Sequence, residues 1–214
     1  MIVSVVLGLC VLSVLGLGWY IRIGLPRELD ERYRSSFAAL NRALELRFPQ
    51  YVDMTTQVTE LALALGAEMK LSKRDLQALE WSAALRDLGL CSVPYVLINE
   101  KNPAQWSDSE TASFERHAEV GASLLDLVPN LSYLAPIVRH HHTPYRQMKD
   151  APVQSRILNV VTGYLMQERA AGSVFARDHI ASQQGQLYDP AVVRALQAVL
   201  SEHYVGTARD LALS

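Results

Sequence analysis

Four of the six histidines are placed where they could act on one ion: His117 and the run His140, His141 and His142. A neutral imidazole nitrogen is a common ligand of divalent transition metals. Three consecutive histidines at a predicted helix end are rare by chance, but polar and positively charged groups also favour a helix C-terminus. These residues alone are compatible with two interpretations, a metal site and a solvated helix end.

The dipeptide Arg86-Asp87 is the second place where the residue types suggest chemistry. It lies near the end of an apolar, helix-periodic segment and begins the run "RDLGLCSVP" at 86–94. An unpaired charge beside a buried helix end is costly. The pair is therefore the remnant of a metal site, a working variant of one, or an ordinary surface ion pair.

The composition excludes some classes of function. The chain has 214 residues, a formal net charge of −2 and a pI of about 6.3. This balance supplies no basic field of the kind that attracts nucleic acid, so no nucleic-acid partner is expected. Two cysteines, Cys10 and Cys91, do not make a disulfide framework. We expect both to be reduced thiols.

Residues 1–25 are predicted to form a transmembrane anchor. No charged side chain occurs from Ile2 to Ile21, and a helix of this length spans ~30 Å, the thickness of a bilayer core. Trp19 and Tyr20 fall at its end, where amphipathic rings prefer the membrane interface. The alternative is a cleaved signal peptide, which requires a basic residue before the apolar run and a small-residue cleavage site. Neither is clear in this sequence.

The distribution of basic residues predicts the orientation of the anchor. None precedes the span, and four arginines follow it closely: Arg22, Arg27, Arg32 and Arg34. The positive-inside rule then places the C-terminal part in the cytoplasm. The sequence thus predicts a single-pass protein of the inner, cytoplasmic membrane, and reduced cysteines agree with that compartment.

Residues 26–49 are predicted to form a juxtamembrane amphipathic helix that connects the anchor to the rest of the chain. Pro26 is expected to end the anchor and Pro49 to end this helix. Apolar residues recur at three- and four-residue spacing and form one stripe: Leu29, Tyr33, Phe37, Leu40 and Leu44. The stripe would face either the following domain or a second copy of the chain.

Residues 50–214 are predicted to form a helical domain, because no strand-like alternation occurs in them. Ser72 is the expected N-cap of one helix, and Ser107 with Glu110 forms the pattern of a capping box for another. The predicted helices lie at about 55–65, 72–88, 107–125, a segment reaching 140–142, 155–170, 176–183 and 190–203. The predicted fold class is therefore an all-α bundle with an N-terminal transmembrane helix and a connecting helix.

Several segments carry recognisable motifs in a fixed order between about residues 50 and 203. They are Arg86-Asp87-Leu88-Gly89-Leu90, "RHAEVGASLL" at 116–125, "APIVRHHH" at 135–142, "SRILNVVTGYLM" at 155–166 and "GQLYDPAVVRALQAVL" at 185–200. Together they resemble the HD-GYP branch of the HD superfamily of metal-dependent phosphohydrolases. That family has His-Asp-x-Gly-Lys in the first motif, then "RHPxxGxxLL" and "APIVxxHHE". The resemblance implies an HD-domain helical bundle. The chain departs from the family at several positions that hold metal ligands in the family.

The resemblance implies two metal positions, the first of which has lost most of its ligands in this chain. Met54 stands at the upstream histidine, Arg86 at the histidine of the His-Asp pair, and Thr162 at a late aspartate. Leu90 replaces the family's lysine, and residues 143–154 lack the Gly-Tyr-Pro loop that follows the paired histidines in the family and is associated there with cyclic di-GMP recognition. A thioether, a guanidinium and a hydroxyl do not make a site for a divalent cation. We therefore hypothesise that Arg86 replaces the missing ion and pairs with the neighbouring aspartate.

The second metal position keeps all the residues that the resemblance assigns to it: Asp87, His117, His141 and His142. Three imidazoles and one carboxylate suit a single zinc, iron or manganese ion. The alternative is that these residues persist as a hydrogen-bonded polar cluster without a metal.

Two classes of function follow. The sequence predicts a catalytically inactive binding, signalling or assembly module at the membrane, with a cytoplasmic protein or a second copy as its partner. The alternative is a phosphohydrolase or phosphodiesterase that uses one ion on the retained cluster. Recognition of cyclic di-GMP is not expected, because the Gly-Tyr-Pro loop is absent. A sensory domain whose ligand fills the former substrate pocket is a third possibility.

Overall fold

The structure is a computed structural model that describes residues 2–212 and, among these, the side chains of all but Ala104 and residues 202–212. The chain divides into two compact units, Met1–Leu40 and Asn41–Ser214. The division falls inside the predicted connecting helix. Each unit is described by itself.

The first unit is helical from Ile2 onward. Helix α1 spans Ile2–Trp19, a π-helical turn spans Tyr20–Gly24, and α2 begins at Leu25. This stretch contains one helix long and apolar enough to cross a membrane, by length and composition. Leu25 N–H donates to the Tyr20 carbonyl, the five-residue spacing that defines a π turn.

Pro26 does not end the helix, contrary to the sequence-based expectation. In a regular α-helix the proline ring clashes with the carbonyl four residues earlier, here that of Arg22. The π turn contains Arg22 and widens the helix there, so the chain accommodates Pro26 by changing the turn instead of breaking it.

The second unit is a bundle of short helices joined by 3-10 turns. Its elements are the end of α2 (Leu25–Arg47), α3 (Met54–Glu68), α4 (Lys73–Leu85), α5 (Tyr95–Asn99), α6 (Asp108–Glu115), α7 (His117–Asp126), α8 (Ala135–Arg139), α9 (Val153–Ala171), α10 (Ser173–Ser182) and α11 (Pro190–Ala212). The residues described form no strand, and the all-α class is confirmed. The only β-type contact in 2–212 is an isolated bridge between Gln184 and Tyr188.

Both predicted helix starts are present. The Ser72 hydroxyl accepts a hydrogen bond from the Asp75 N–H at 3.2 Å, so it caps α4. At α6 the Ser107 hydroxyl accepts from the Glu110 N–H at 3.3 Å, and the Glu110 carboxylate accepts from the Ser107 N–H at 3.0 Å. This reciprocal pair is a complete capping box.

The observed helix ends differ from the predicted ones more than the helix starts do. Helix α3 continues through Gly66 to Glu68, because Gly66 serves close packing. A Cβ there would lie 2.7 Å from Leu76 Cδ2 and 3.0 Å from Leu79 Cδ2. Helix α4 ends at Leu85, and a 3-10 turn follows at Leu88–Ser92. The helix predicted at 107–125 divides into α6 and α7.

Helices α3, α4 and α9 pack on one another, and α7 packs on α8 and on the turn Leu88–Ser92. Buried aliphatic side chains from α3, α4 and α9 form the core, among them Leu65, Leu79 and Leu158. This arrangement brings the end of α4, the start of α7 and the end of α8 to one place. These are the elements that carry the predicted site residues.

Candidate functional site

The ion pair between Arg86 and Asp87 lies at the end of α4. The Arg86 side chain is 1% exposed and the Asp87 side chain 14% exposed, and Arg86 Nη2 lies 2.7 Å from Asp87 Oδ2. Arg86 Nη1 donates to the Ala83 carbonyl at 2.7 Å, which fixes the guanidinium plane. Arg86 Nε has no hydrogen-bond partner among the described residues. Arg86 is thus a buried cation, and the interpretation as a surface pair is wrong.

The histidines of the predicted second metal position come together. Ligand-capable atoms of His117, His141 and His142 all lie within 4.8 Å of one another. The ring centroids of His141 and His142 are 4.0 Å apart, and the His117 ring lies 5.3 Å and 5.1 Å from them. His117 Nε2 is 4.0 Å from Asp87 Oδ1. The fourth predicted ligand therefore borders the same space.

Backbone hydrogen bonds determine which ring nitrogen of two histidines is available. His117 Nδ1 lies 2.6 Å from the Phe114 carbonyl, and His141 Nδ1 lies 2.6 Å from the Val138 carbonyl. A carbonyl only accepts, so each Nδ1 carries the proton and donates. Each Nε2 then presents a lone pair. Both Nε2 atoms are buried and have no hydrogen-bond partner in the described part of the chain.

Burial favours the neutral imidazoles of His141 and His142. Burial is the main cause that lowers the pKa of His141 to about 3, and the neighbouring His117 and Arg86 lower it further. Loss of hydration and the adjacent His141 and His117 likewise lower the pKa of His142 well below its ordinary value. Neutral imidazoles are the form that ligates metals.

His140 does not join the cluster. Its Nδ1 lies 3.3 Å from the Thr143 hydroxyl, and its side chain is only partly buried. Arg139, just before it, forms ion pairs with Glu119 at 2.9 Å and Asp126 at 3.3 Å, and so ties α8 to α7. These two pairs hold the helices that carry His117 and the histidine run.

The residues at the first metal position are all buried. Met54 begins α3 and is 5% exposed, and Thr162 in α9 is 7% exposed. The Thr162 hydroxyl oxygen has no hydrogen-bond partner within the described residues. Leu90 is 1% exposed and packs in an apolar cluster with Phe48, Val93 and Leu97.

A test of fit gives opposite results for the two positions. Orphaned Nε2 atoms beside a carboxylate are the donor set that one zinc, iron or manganese ion accepts. The residues at the first position offer a buried guanidinium in place of a ligand and do not fit a metal.

Sequence reasoning missed one residue beside the charged pair. Burial raises the pKa of Tyr51, and the nearby Asp87 carboxylate raises it further while Arg86 opposes this. Tyr51 lies in the 3-10 turn before α3, three residues before Met54. The sequence signal that could have identified Tyr51 was its position just before Met54, which stands at a metal-ligand position of the family.

A chain of tilted aromatic ring contacts also reaches the cluster and was not predicted. The Trp106 ring lies 5.1 Å from Phe114, and the Phe114 ring lies 4.9 Å from His117. Trp106 and Phe114 flank the apolar cluster that contains Leu90. Apolar side chains therefore surround the site on this side.

The segment 143–154 is held against another loop. The N–H groups of Tyr145 and Arg146 donate to the carbonyls of Leu187 and Gln186, each at 3.0 Å. Asn159 of α9 donates to both Thr143 and Leu187 carbonyls, at 3.2 and 3.1 Å. The segment is ordered by this network without a Gly-Tyr-Pro sequence.

Comparison with known proteins agrees with the motif order and the geometry. Residues 38–192 match the family described as "HD domain". The chain is 25% identical over 185 residues to the cyclic di-GMP phosphodiesterase response regulator RpfG of Xanthomonas campestris pv. campestris (strain 8004). The match covers 79% of this chain and 48% of the relative, so the chain spans about half the length of that protein. The family match extends over more than half of the chain, and the chain belongs to the HD-domain family.

Proposed function

We propose that this HD-domain protein is a membrane-anchored binding or assembly module that does not carry out two-metal phosphohydrolysis. The observation that supports this is the buried Arg86–Asp87 ion pair. In relatives with the full motif, this aspartate stands beside a ligand histidine. Here it stands beside a fixed cation.

The charge of Arg86 opposes a metal at the first position. Arginine stays protonated at any physiological pH and has no lone pair to offer. Its guanidinium is held in place by Asp87 and the Ala83 carbonyl, so it does not swing away without leaving polar groups unpaired. Met54 and Thr162 supply no anionic ligand that would offset it.

Hydrolysis of a phosphodiester by a two-metal site depends on both ions to stabilise the attacking and leaving oxygens. A chain that keeps only one of the two metal positions lacks this two-ion arrangement. Leu90, packed among Phe48, Val93 and Leu97, also leaves no cation where the family has lysine. The cyclic di-GMP cleavage named for the Xanthomonas relative is therefore not expected of this chain.

A second candidate is a single-ion phosphohydrolase, favoured by the orphaned Nε2 atoms of His117 and His141. His117, His141, His142 and Asp87 would hold the ion. A bound divalent ion supplies Lewis acidity and lowers the pKa of a coordinated water. The protein's own part is to keep His141 and His142 neutral by burial, and to direct Nε2 of His117 and His141 through the bonds from each Nδ1 to the Phe114 and Val138 carbonyls.

The membrane setting is part of the proposal. Helix α1 is long and apolar enough to span a bilayer, and arginines follow it. We place the Asn41–Ser214 unit on the cytoplasmic side, with a cytoplasmic protein or a second copy of the chain as its partner.

The test compares the wild-type chain in nanodiscs with the triple variant Met54→His/Arg86→His/Thr162→Asp. Both are loaded with manganese or iron and assayed on bis(p-nitrophenyl) phosphate and cyclic di-GMP, with the metal content measured. We expect the wild type to hold at most one ion per chain and to show no turnover. The triple variant should gain a second ion.

Wild-type turnover that His117→Ala abolishes would replace the first proposal by the single-ion enzyme. His140→Ala is the matched control, because His140 lies outside the cluster. Two ions bound to the wild-type chain would contradict both proposals.

A further inference from the structure

One carboxylate lies between a fixed cation and the histidine cluster of His117, His141 and His142. Asp87 Oδ2 is 2.7 Å from Arg86 Nη2, and Asp87 Oδ1 is 4.0 Å from His117 Nε2. The two oxygens of this side chain therefore lie near two different groups. An ion that took Asp87 and His117 as ligands would share the carboxylate with the guanidinium.

We infer that Arg86 sets the affinity of the histidine cluster for a divalent ion, and that its fixed charge keeps this affinity low. The inference goes beyond the proposed function, because it concerns the binding of an ion whether or not a substrate is turned over. Its three supports are the place of Arg86, the way in which its guanidinium is held, and the net charge of the site.

The guanidinium is buried and held in one orientation. The Arg86 side chain is 1% exposed, and its Nη1 donates to the Ala83 carbonyl at 2.7 Å while its Nη2 pairs with Asp87. A buried charge is screened by water and salt much less than an exposed one, so its field is strong at neighbouring groups. Arginine keeps its proton at any physiological pH, so this charge is permanent.

The net charge of the site shows what this cation changes. The ligand set consists of the Asp87 carboxylate and three imidazoles, which ligate in the neutral form, so it carries one negative charge. Arg86 cancels that charge. A divalent ion then enters a site with no net attraction for it, whereas the same ligands without Arg86 would attract the ion.

An opposite role for Arg86 makes a different prediction. A group that hydrogen-bonds to a metal ligand can orient it, and loss of such a group weakens metal binding by about 10-fold to 100-fold. If Arg86 served mainly to hold Asp87 towards His117, its removal would weaken binding. We expect repulsion to dominate, because the interaction of a buried charge with a divalent ion outweighs one hydrogen bond. The sign of the change separates the two roles.

The test measures the Kd for zinc of the full chain in nanodiscs, by competition with a chromophoric chelator and starting from metal-free protein. Arg86→Gln removes the charge and keeps an amide that can donate to Asp87. We expect this variant to bind zinc at least about tenfold more tightly than the wild type. Arg86→Lys keeps the charge, and its Kd should stay within about threefold of the wild-type value.

A second pair of variants makes the same comparison without the carboxylate, since Arg86→Gln leaves Asp87 without its counter-ion and loses stability. Asp87→Asn keeps the arginine, and the double variant Arg86→Gln/Asp87→Asn carries neither buried charge. The double variant should bind zinc more tightly than Asp87→Asn, because the repulsion does not depend on the carboxylate. A role limited to orienting Asp87 would leave these two Kd values equal.

Arg156→Gln is the matched control. Like Arg86, Arg156 donates to a backbone carbonyl, that of Ala151 at 3.0 Å, and pairs with a buried aspartate, Asp189. Neither of these partners belongs to the histidine cluster or to its predicted ligands. The Kd for zinc of this variant should stay within about twofold of the wild-type value.

Unchanged or weaker binding in Arg86→Gln, binding in Arg86→Lys as tight as in Arg86→Gln, or equal Kd values in the second pair would each overturn the inference. So would the absence of zinc binding from every variant. Zinc binding detected in Arg86→Gln and not in the wild type would support it. None of these outcomes involves turnover, so failure here leaves the non-catalytic assignment standing. Phosphodiester hydrolysis in the assay above would remove that assignment whatever the Kd for zinc is.

Discussion

The backbones of Gly89 and His117 are in direct contact where the turn after Asp87 crosses the start of α7. A Cβ built on Gly89 would lie 1.9 Å from the His117 carbonyl oxygen and 2.6 Å from the Gly121 nitrogen. Only a residue without a side chain allows this approach. The contact places the His117 ring beside the Asp87 carboxylate, and so the glycine of the first motif serves the geometry of the cluster.

Gly89→Ala should therefore destabilise the chain strongly, by about 3 kcal/mol or more, since the clash is with backbone that cannot swing aside. Gly121→Ala is the matched comparison. Its Cβ would lie 3.3 Å from Gly89 N and Val138 Cγ1, and we expect a cost of about 1 kcal/mol. Chemical denaturation of both variants measures the difference. Equal stabilities would contradict the crossing described here.

Arg86→Met should cost about 3 kcal/mol or more, because it leaves the Asp87 carboxylate largely buried without its counter-ion. The double variant Arg86→Met/Asp87→Asn removes both charges and should recover part of the loss. The four free energies of unfolding form a double-mutant cycle. A single variant as stable as the wild type would show that the ion pair is not needed to hold the end of α4.

Zinc should stabilise the chain through the histidine cluster. At a free concentration of 100 times the Kd, binding to the folded state alone raises the free energy of unfolding by about 2.7 kcal/mol. His141→Ala should abolish this gain, and His140→Ala should retain it, since His141 offers its Nε2 to the cluster and His140 lies outside it. The measurement is the shift in Tm with and without zinc. The same shift in both variants would place zinc elsewhere.

The capping box at the start of α6 makes a specific prediction about pH. The side-chain hydrogen bond from Lys101 and the backbone N–H of Ser107 lower the pKa of the Glu110 carboxyl to about 2. A folded pKa below the unfolded value means that the contribution to stability is present above about pH 4.5 and is lost as the pH falls through 2. In Lys101→Ala the pKa should move towards its ordinary value. NMR titration of selectively labelled glutamate reads this directly, and an unchanged pKa would rule out the lysine as the main cause.

Cys10 and Cys91 report the orientation in the membrane. Both thiols are free, and Cys91 lies exposed in the turn after Asp87. We expect a membrane-impermeant maleimide to leave Cys91 unlabelled in intact cells and to label it after permeabilisation. Cys10, inside the apolar helix, should stay protected in both. Labelling of Cys91 in intact cells would reverse the predicted orientation.

The parts of the fold that follow from local chemistry were predictable. Ser72 and the Ser107–Glu110 box mark helix starts because their side chains satisfy N–H groups within three residues. The predictions of a helix end at Gly66 and at Pro26 were wrong for the same reason. Each was interpreted as a helix end from its own backbone properties, whereas packing by Leu76 and Leu79, and a wider turn at Arg22, decide the outcome.

The candidate site was likewise only partly predictable from the sequence. The family resemblance assigned Asp87, His117, His141 and His142 to one metal position, and the structure brings the histidines together with Asp87 at the border of the cluster. The contacts that prepare this place come from elsewhere in the chain. Tyr51 and the Trp106–Phe114 ring pair approach it through the fold, and among these residues only Tyr51, just ahead of Met54, had a signal in the sequence.

The π-helical turn at Tyr20–Gly24 sets the angular position of α2 relative to α1. One additional residue in a turn rotates everything beyond it by about 100° relative to an uninterrupted α-helix. The angular position of the Leu29 and Leu40 stripe on α2 is therefore shifted relative to α1. Replacing this turn by a regular α-helical turn would therefore rotate the stripe about the helix axis relative to α1.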